Sequence, residues 1–116
     1  MDTKEKYRAM LGKQVEVVID RPIGSKHPQF NTVYETNYGY VANTLAGDGK
    51  EIDAYVLGIN RTIDTFSGLC IAVIWRTDDS EHKLVVGHQA LTEKTIKEQT
   101  SFIERYFQTH IEIEEL

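Results

Sequence analysis

Short runs of β-branched and aromatic residues, each closed by turn-forming residues, are the feature that most constrains the fold of this chain. Such runs are typical of strands, because branched side chains pack well on a pleated surface. Strands are predicted over residues 13–20, 33–41, 52–57, 66–76 and 83–87. The tyrosine-rich run 33–41 predicts one or two extended pieces with a kink at Gly39. The sequence therefore predicts a mostly β fold.

The C-terminal third of the chain has helical spacing instead. Apolar residues recur there at near-helical intervals, at Ile96, Ile103 and Phe107. Thr92 is a suitable N-cap, so a helix is predicted over residues 92–109. A short helix is also predicted over residues 3–11, between a capping-box pattern and a glycine. Residues 1–116 are therefore predicted to form one α+β domain, a small OB-like antiparallel β-barrel with the C-terminal helix packed on it.

The charge balance limits the partners of the chain. The formal net charge is −5 and the pI is about 5.3. Nucleic-acid binders usually present a basic face, so no nucleic-acid partner is expected. The polar N-terminus does not resemble a signal peptide, and no apolar run is long enough to cross a membrane, so a cytoplasmic location without a membrane partner is expected. The single cysteine, Cys70, lies in an apolar run and is predicted to be a buried thiol.

Carboxylates concentrate in two predicted turns. The acidic residues of these turns are Asp48, Glu51 and Asp53 in the first and Asp78, Asp79 and Glu81 in the second. If the flanking strands are neighbours, the two turns meet at one end of the barrel. Mg²⁺ prefers carboxylate oxygens together with water and substrate phosphates, and two such ions can flank a phosphoryl group. The alternative is that both are ordinary solvated turns, since aspartate and glycine are common turn residues.

Three tyrosines add a second polar feature. Tyr34, Tyr38 and Tyr40 are separated by even numbers of positions, so on one strand their side chains would share a face. A phenol can hydrogen-bond a phosphate oxygen or a metal-bound water. The alternative is that the three rings pack at the barrel end and their hydroxyls reach water.

Five segments of the chain follow one another in an order found in a known family. They are residues 17–22, 37–41, 44–53, 76–85 and 102–106, which include the motifs NYGY and GDGKEID. In this order they resemble the soluble family I inorganic pyrophosphatases, in which an NYGY segment precedes a signature D-x-D-P-x-D. The resemblance implies Mg²⁺ as the cofactor, with Mn²⁺ as an alternative, and pyrophosphate or another phosphorylated small molecule as the ligand. It also implies a homo-oligomer.

The resemblance implies roles for individual residues. Metal would be bound by Asp48, Asp53, Asp78 and Glu81. Asp20 stands where the family has a catalytic-site glutamate, and Tyr34 and Tyr38 fall on active-site tyrosines. Lys83 and Tyr106 match phosphate-contacting positions. We therefore assign catalytic roles to Asp53, Asp20 and Tyr38.

The chain departs from the family pattern at several positions. Lys50 replaces the middle aspartate of the signature, Glu51 replaces its proline, and Phe107 replaces a lysine of the C-terminal segment. The segment between Asp20 and Tyr34 is also shorter than in the family. Cations within this shortened segment are candidates to supply the positive charge that it loses, namely Arg21, Lys26 and His27.

Three functions remain open from the sequence. The first is Mg²⁺-dependent hydrolysis of pyrophosphate or a related phosphoanhydride. The second is binding of a metal–phosphate ligand without turnover, which Lys50 and Phe107 favour. The third is oligonucleotide binding by a small barrel with exposed tyrosines, which the acidic charge disfavours.

Overall fold

A computed structural model describes residues 3–44, 50–79 and 81–113 of the chain. Two helices and six strands form in the order α1 Thr3–Arg8, β1 Gln14–Arg21, β2 Asn37–Val41, β3 Ile52–Val56, β4 Thr65–Arg76, β5 Lys83–Gly87, α2 Glu93–Glu104 and β6 Thr109–Ile113. The predicted strands are confirmed to within a few residues, except that regular pairing in the run 33–41 begins only at Asn37. Asp2, the first residue of the predicted capping box, and Asp48, a predicted metal ligand, lie outside the described residues.

Strands β1 to β5 close into a barrel. The order of hydrogen-bonded neighbours is β1-β2-β3-β5-β4, and β4 pairs back with β1, from Gln14 opposite Leu69 to Val18 opposite Thr65. The predicted mostly β barrel with a C-terminal helix is confirmed. One pair, β3–β5, is parallel, with Ala54 opposite Leu84, while the other pairs are antiparallel. The parallel pair arises because β4 returns on the far side of β5 and leaves β3 and β5 running the same way.

The strand β6 was not predicted. Residues 105–109 were expected to continue the helix, but α2 ends at Glu104 and the chain turns through Arg105. The backbone of Gln108 then accepts a hydrogen bond from Thr77 N, at 2.8 Å, and donates one to the carboxylate of Asp78, at 3.1 Å. These contacts bring Thr109–Ile113 alongside β4, outside the closed barrel. Phe107 continued the helical spacing in sequence only.

Two apolar clusters lie on opposite faces of the barrel wall. The inner cluster fills the barrel with side chains that include Val17, Ile52, Val73, Trp75 and Leu84. The outer cluster lies on the face that contacts α2 and includes Tyr55, Ile74, Val85, Ile96 and Phe102. All five residues of β5 are consequently buried, without the alternation of a strand that has one wet face. The predicted burial of Cys70 is confirmed, with its side chain fully buried.

Gly39 lies in the middle of β2 and does not interrupt it. The strand pairs with β1 and β3 through this residue, with Gly39 opposite Ile19 and Ala54. An added Cβ would lie 1.8 Å from the backbone oxygen of Val18. Glycine is therefore present because β1 and β2 approach closely here, and β2 continues through Gly39 as one strand.

Two loops are tied to one side chain at the start of β2. Asn37 is fully buried, and its Oδ1 accepts a hydrogen bond from Ile23 N at 3.0 Å. Its Nδ2 donates to the carbonyl oxygens of Ile59 and Arg61, at 3.2 and 2.9 Å. Asn37 thus fixes the start of the β1–β2 loop against the β3–β4 loop.

Neither helix of the described residues is long and apolar enough to cross a membrane.

Candidate functional site

A polar cleft of about 570 Å³ lies on the outer face of the barrel. Its wall is formed by the end of β1, the β1–β2 loop, β2, β3, the end of β4, the β4–β5 turn, β5 and the C-terminal end of α2. Side chains alternate between the two faces of a strand, so Asp53 points outward between the inward-facing Ile52 and Ala54. On the neighbouring strand Lys83 lies outward in the same way, beside the inward-facing Leu84.

Acidic and basic side chains line this cleft in equal numbers. The carboxylates are Asp20, Asp53, Asp79 and Glu81, and the cations are Arg21, Lys50, Arg76 and Lys83. Two of the cations are already paired with cleft carboxylates. Lys83 Nζ lies 2.7 Å from Asp53 Oδ2, and Arg76 Nη1 lies 3.5 Å from Asp79 Oδ2. The cleft is therefore balanced in formal charge, unlike the acidic chain as a whole.

Most of the candidate site residues meet in this cleft. Those that line it are Asp20, Arg21, Tyr34, Tyr38, Asp53, Glu81 and Lys83. Three candidates lie elsewhere. Lys26 is exposed and its backbone pairs with Val33, Tyr106 is half-exposed and stacks on Phe30 with ring centroids 4.3 Å apart, and Asp78 faces a different cavity beside His110. Asp48 lies outside the described residues.

The rings of Tyr34 and Tyr38 are close neighbours, although only Tyr38 and Tyr40 lie in β2. Tyr34 precedes β2, and its ring centroid lies 5.3 Å from that of Tyr38. Tyr40 does not line the cleft. Burial first, and then the negative charge of Asp53, raises the pKa of Tyr38 well above its usual value. The Tyr38 hydroxyl therefore stays protonated and can donate a hydrogen bond at neutral pH.

Asp20 is a cleft carboxyl whose pKa is raised. Burial raises its pKa above the usual value, and the nearby carboxylates of Asp53 and Glu51 add to this effect, while Arg21 opposes it. A carboxyl with a raised pKa accepts a proton more readily than an ordinary aspartate. Asp20 is thus suited to proton transfer beside an anionic ligand.

Three solved structures that share this fold are inorganic pyrophosphatases. The protein from Ehrlichia chaffeensis aligns with a TM-score of 0.69 at 15% identity, over 89% of this chain and 87% of that one. The protein from Helicobacter pylori aligns with a TM-score of 0.62 at 18% identity, over 88% and 82%. The protein from Coxiella burnetii gives 0.61 at 15% identity, over 89% and 86%.

The chain has the pyrophosphatase fold. No protein-family model matches the sequence, and no curated protein matches it. The likeness at this level of identity shows the fold alone. What the chain does depends on the side chains that it places on the pyrophosphatase fold, not on the fold itself.

A preformed metal cage is not present in the described part of this pyrophosphatase fold. No group of three or more histidine, cysteine, aspartate or glutamate side chains there could hold a metal ion. The carboxylate of Asp53 forms an ion pair with Lys83, and the carboxylate of Asp79 contacts Arg76. Mg²⁺ commonly takes only one or two protein carboxylates and completes its shell with water and phosphate oxygens. The cleft carboxylates therefore fit an ion that enters together with a phosphorylated ligand.

A buried network beside the cleft was missed in the sequence. Arg76 and Glu104 are only 5% and 6% exposed and form two hydrogen bonds with each other. Tyr55 donates its hydroxyl proton to Glu104 Oε2 at 2.5 Å. One signal was available, because Glu104 follows Phe102 and Ile103 on the apolar side of the helix. An acid at such a position needs a partner, although the spacing does not say which one.

His27 enters the cleft as a neutral side chain. Its Nδ1 accepts hydrogen bonds from the backbone N–H groups of Gln29 and Phe30, at 3.0 and 3.1 Å. Burial first, and then the charges of Arg21, Arg76 and Lys83, lowers the pKa of His27 below its usual value. His82 has a similar arrangement, since its Nδ1 accepts from Arg76 N at 3.0 Å and its pKa is lowered, mainly by burial.

These two histidines predict a loss of stability in mild acid. A histidine with a lowered pKa in the folded state contributes stability that is complete above its unfolded pKa of about 6.5 and is lost as the pH falls toward the folded value. We expect the midpoint of urea unfolding to fall from pH 7 to pH 5. In the double variant His27→Asn, His82→Asn, an amide oxygen can replace Nδ1 as the acceptor without titrating, so the fall should be smaller. An equal fall in both proteins would contradict the prediction.

Proposed function

We propose that this chain binds pyrophosphate or a related phosphoanhydride in the cleft and hydrolyses it in the presence of Mg²⁺. One observation supports the proposal above the others. Four cations, four carboxylates and three phenols line a single cleft on the outer face of the barrel. Cations and phenols suit the anionic oxygens of the ligand, and carboxylates suit the metal that accompanies it.

Each group has a role in this proposal. Lys83 and Arg21 bind the phosphoryl oxygens, and the protonated hydroxyls of Tyr34 and Tyr38 donate hydrogen bonds to them. Asp53 would hold Mg²⁺ together with Glu81, which also lines the cleft, and Asp20 is close enough to Asp53 for their charges to interact. The bound ion would supply Lewis-acid polarisation of the phosphoanhydride. Asp20 accepts the proton that the attacking water releases, because its raised pKa favours the protonated form.

The test is phosphate release from pyrophosphate with and without Mg²⁺. We expect metal-dependent release from the wild-type chain and at least a 100-fold lower rate for Asp53→Asn, as is usual when a group that takes part in the chemistry is lost. Asp64→Asn is the matched control, because Asp64 is exposed and lies outside the cleft lining. Equal rates for the two variants would exclude Asp53 from the reaction, and no release from the wild type would exclude hydrolysis of this substrate.

A second function, binding of the metal–phosphate ligand without turnover, is supported by two residues. Lys50 lines the cleft and replaces the aspartate that, in the resembling family, is the usual candidate to deprotonate the nucleophile, and an ammonium group cannot ligate a cation. The short contact from Lys83 also competes for Asp53. Calorimetry separates the two functions, since heat of binding for Mg²⁺ and pyrophosphate without phosphate release would establish binding alone.

Three further expectations belong to this proposal. Mn²⁺ should replace Mg²⁺, because carboxylates and phosphates bind both as hard cations. A cytoplasmic location and a homo-oligomer remain predictions from the sequence. Sedimentation velocity would determine the assembly.

A further inference from the structure

We propose that Arg76 is the residue that anchors a phosphoryl group of the ligand in this cleft, and that Glu104 and Tyr55 position it for that purpose. The inference rests on the proposed function and deepens it. Arg76 is not among the residues that the sequence resemblance singles out. It lies at the end of β4, and its side chain lines the cleft.

The guanidinium group is fixed on one edge. Its Nε donates to Glu104 Oε1 at 2.9 Å, and its Nη2 donates to Glu104 Oε2 at 2.7 Å. Glu104 is fixed in turn by the hydroxyl of Tyr55. A guanidinium group carries five N–H donors in one plane, so this paired contact leaves the Nη1 edge for another acceptor.

One face of the same group is covered. The guanidinium carbon of Arg76 lies 3.7 Å from the ring centroid of Phe107. Stacking on the ring excludes water from this face and holds the guanidinium plane in place. Phe107 stands in the sequence where the resembling family has a lysine on the C-terminal segment. Here its ring supports a cation that comes from β4 instead.

Among the described residues, the ion pair that involves Nη1 is a weak one. Nη1 lies 3.5 Å from Asp79 Oδ2, beyond a good charge-assisted hydrogen bond, and Asp79 lines the cleft too. Lys83, in contrast, is held by Asp53 at 2.7 Å. A phosphoryl group carries more charge and more acceptor oxygens than a carboxylate. It should therefore displace Asp79 from Arg76 more easily than it displaces Asp53 from Lys83.

A purely structural role explains the network less well. Buried ion pairs are seldom more stabilising than apolar side chains of the same volume, because both charges lose their hydration. The Arg76–Glu104 pair leaves one edge of the cation directed at a cleft rather than enclosed by protein. A cation that is held rigid before the ligand arrives loses little freedom on binding, which favours affinity.

The experiment is calorimetric titration of pyrophosphate into the metal-free chain, so that turnover does not interfere. The double variant Arg76→Met, Glu104→Gln removes both charges and keeps an oxygen for Tyr55. We expect its affinity to fall about 10- to 100-fold, which is the usual contribution of hydrogen bonds to a charged group. Lys94→Met, Glu98→Gln is the matched control, because this pair is exposed on α2 at 3.9 Å and should leave affinity unchanged.

Asp79→Asn tests the same contact with the opposite sign. Removal of the competing carboxylate should tighten pyrophosphate binding about 2- to 5-fold, because a weak ion pair contributes about that much. In the Arg76→Met, Glu104→Gln chain the same change should give a smaller gain, because the cation for which Asp79 competes is absent there. Asp79 is partly exposed, so this variant should fold even if the double variant does not.

Each outcome has a distinct meaning. Weaker binding by the double variant together with tighter binding by Asp79→Asn would support the inference. Unchanged affinity in Asp79→Asn and in a folded Arg76→Lys chain would overturn it, while wild-type binding would leave the proposed function standing. Absence of pyrophosphate binding in the wild type, with or without Mg²⁺, would overturn the proposed function and the anchoring role together.

Discussion

The Gly39→Ala chain is expected not to form a stable barrel. The added Cβ would lie 1.8 Å from the oxygen and 2.7 Å from the carbonyl carbon of Val18, and 2.9 Å from the Cα of Ile19. All three are backbone atoms of β1, so the clash cannot be relieved by a side-chain rotation. Overpacking of a core commonly costs about 1–3 kcal/mol, and a clash with paired backbone should exceed that range. Urea unfolding followed by circular dichroism measures the change.

Gly87→Ala is the control for this experiment. Gly87 also lies in a strand, but the nearest atoms to its added Cβ are 3.5 to 3.7 Å away, at ordinary contact distance. We expect a change within about 1 kcal/mol for this variant, as for most substitutions that create no clash, cavity or unpaired group. Equal stability of the two variants would mean that β1 and β2 do not approach as closely as described.

Loss of a single partner from the Arg76–Glu104 pair is expected to destabilise the chain by about 3–5 kcal/mol, because a buried charge is left without compensation. Both side chains are at least nine-tenths buried. The double variant Arg76→Met, Glu104→Gln should lose much less than the sum of the two single changes. The chain has one tryptophan, Trp75, which is 3% exposed and reports unfolding by fluorescence.

The exposed pair Lys94–Glu98 provides the comparison for this double-mutant cycle. Its atoms lie 3.9 Å apart on the surface of α2, and such pairs contribute about 0.5 kcal/mol or less. A coupling energy for Arg76 and Glu104 as small as that of the surface pair would show that the two charges are not buried together. It would also remove the physical basis for a fixed Arg76 in the cleft.

The fold was predictable from the sequence because local patterns and the barrel agree. The strand Lys83–Gly87 was predicted with its exact bounds, and the helix start at Thr92 was identified from its cap. Strand β6 could not be predicted in the same way. Its position depends on hydrogen bonds between Gln108 and the distant residues Thr77 and Asp78. The helical spacing of Phe107 relative to Ile103 wrongly indicated that the helix continues, because the Phe107 ring packs beside Arg76 instead.

The candidate site was predictable only in part. Asp53 and Lys83 were both named from the sequence, but spacing does not reveal that their side chains meet at 2.7 Å. The same limit applies to Arg76, which ends the most apolar strand and gave no sign of a partner near residue 104. Which acid meets which base is decided by strand order and by the docking of α2. Neither of these can be read from local sequence.

The closure of the barrel has a consequence for how fast the chain folds. Strand β1 cannot complete its pairing until β4 arrives, since Gln14 pairs with Leu69, and β3 must wait for β5. Contacts between residues far apart in sequence require closure of long loops, and proteins dominated by them fold in about milliseconds to seconds. During synthesis the N-terminal half should therefore remain protease-sensitive until β4 and β5 have left the ribosome. Cooperative folding of this chain begins late and involves nearly its whole length.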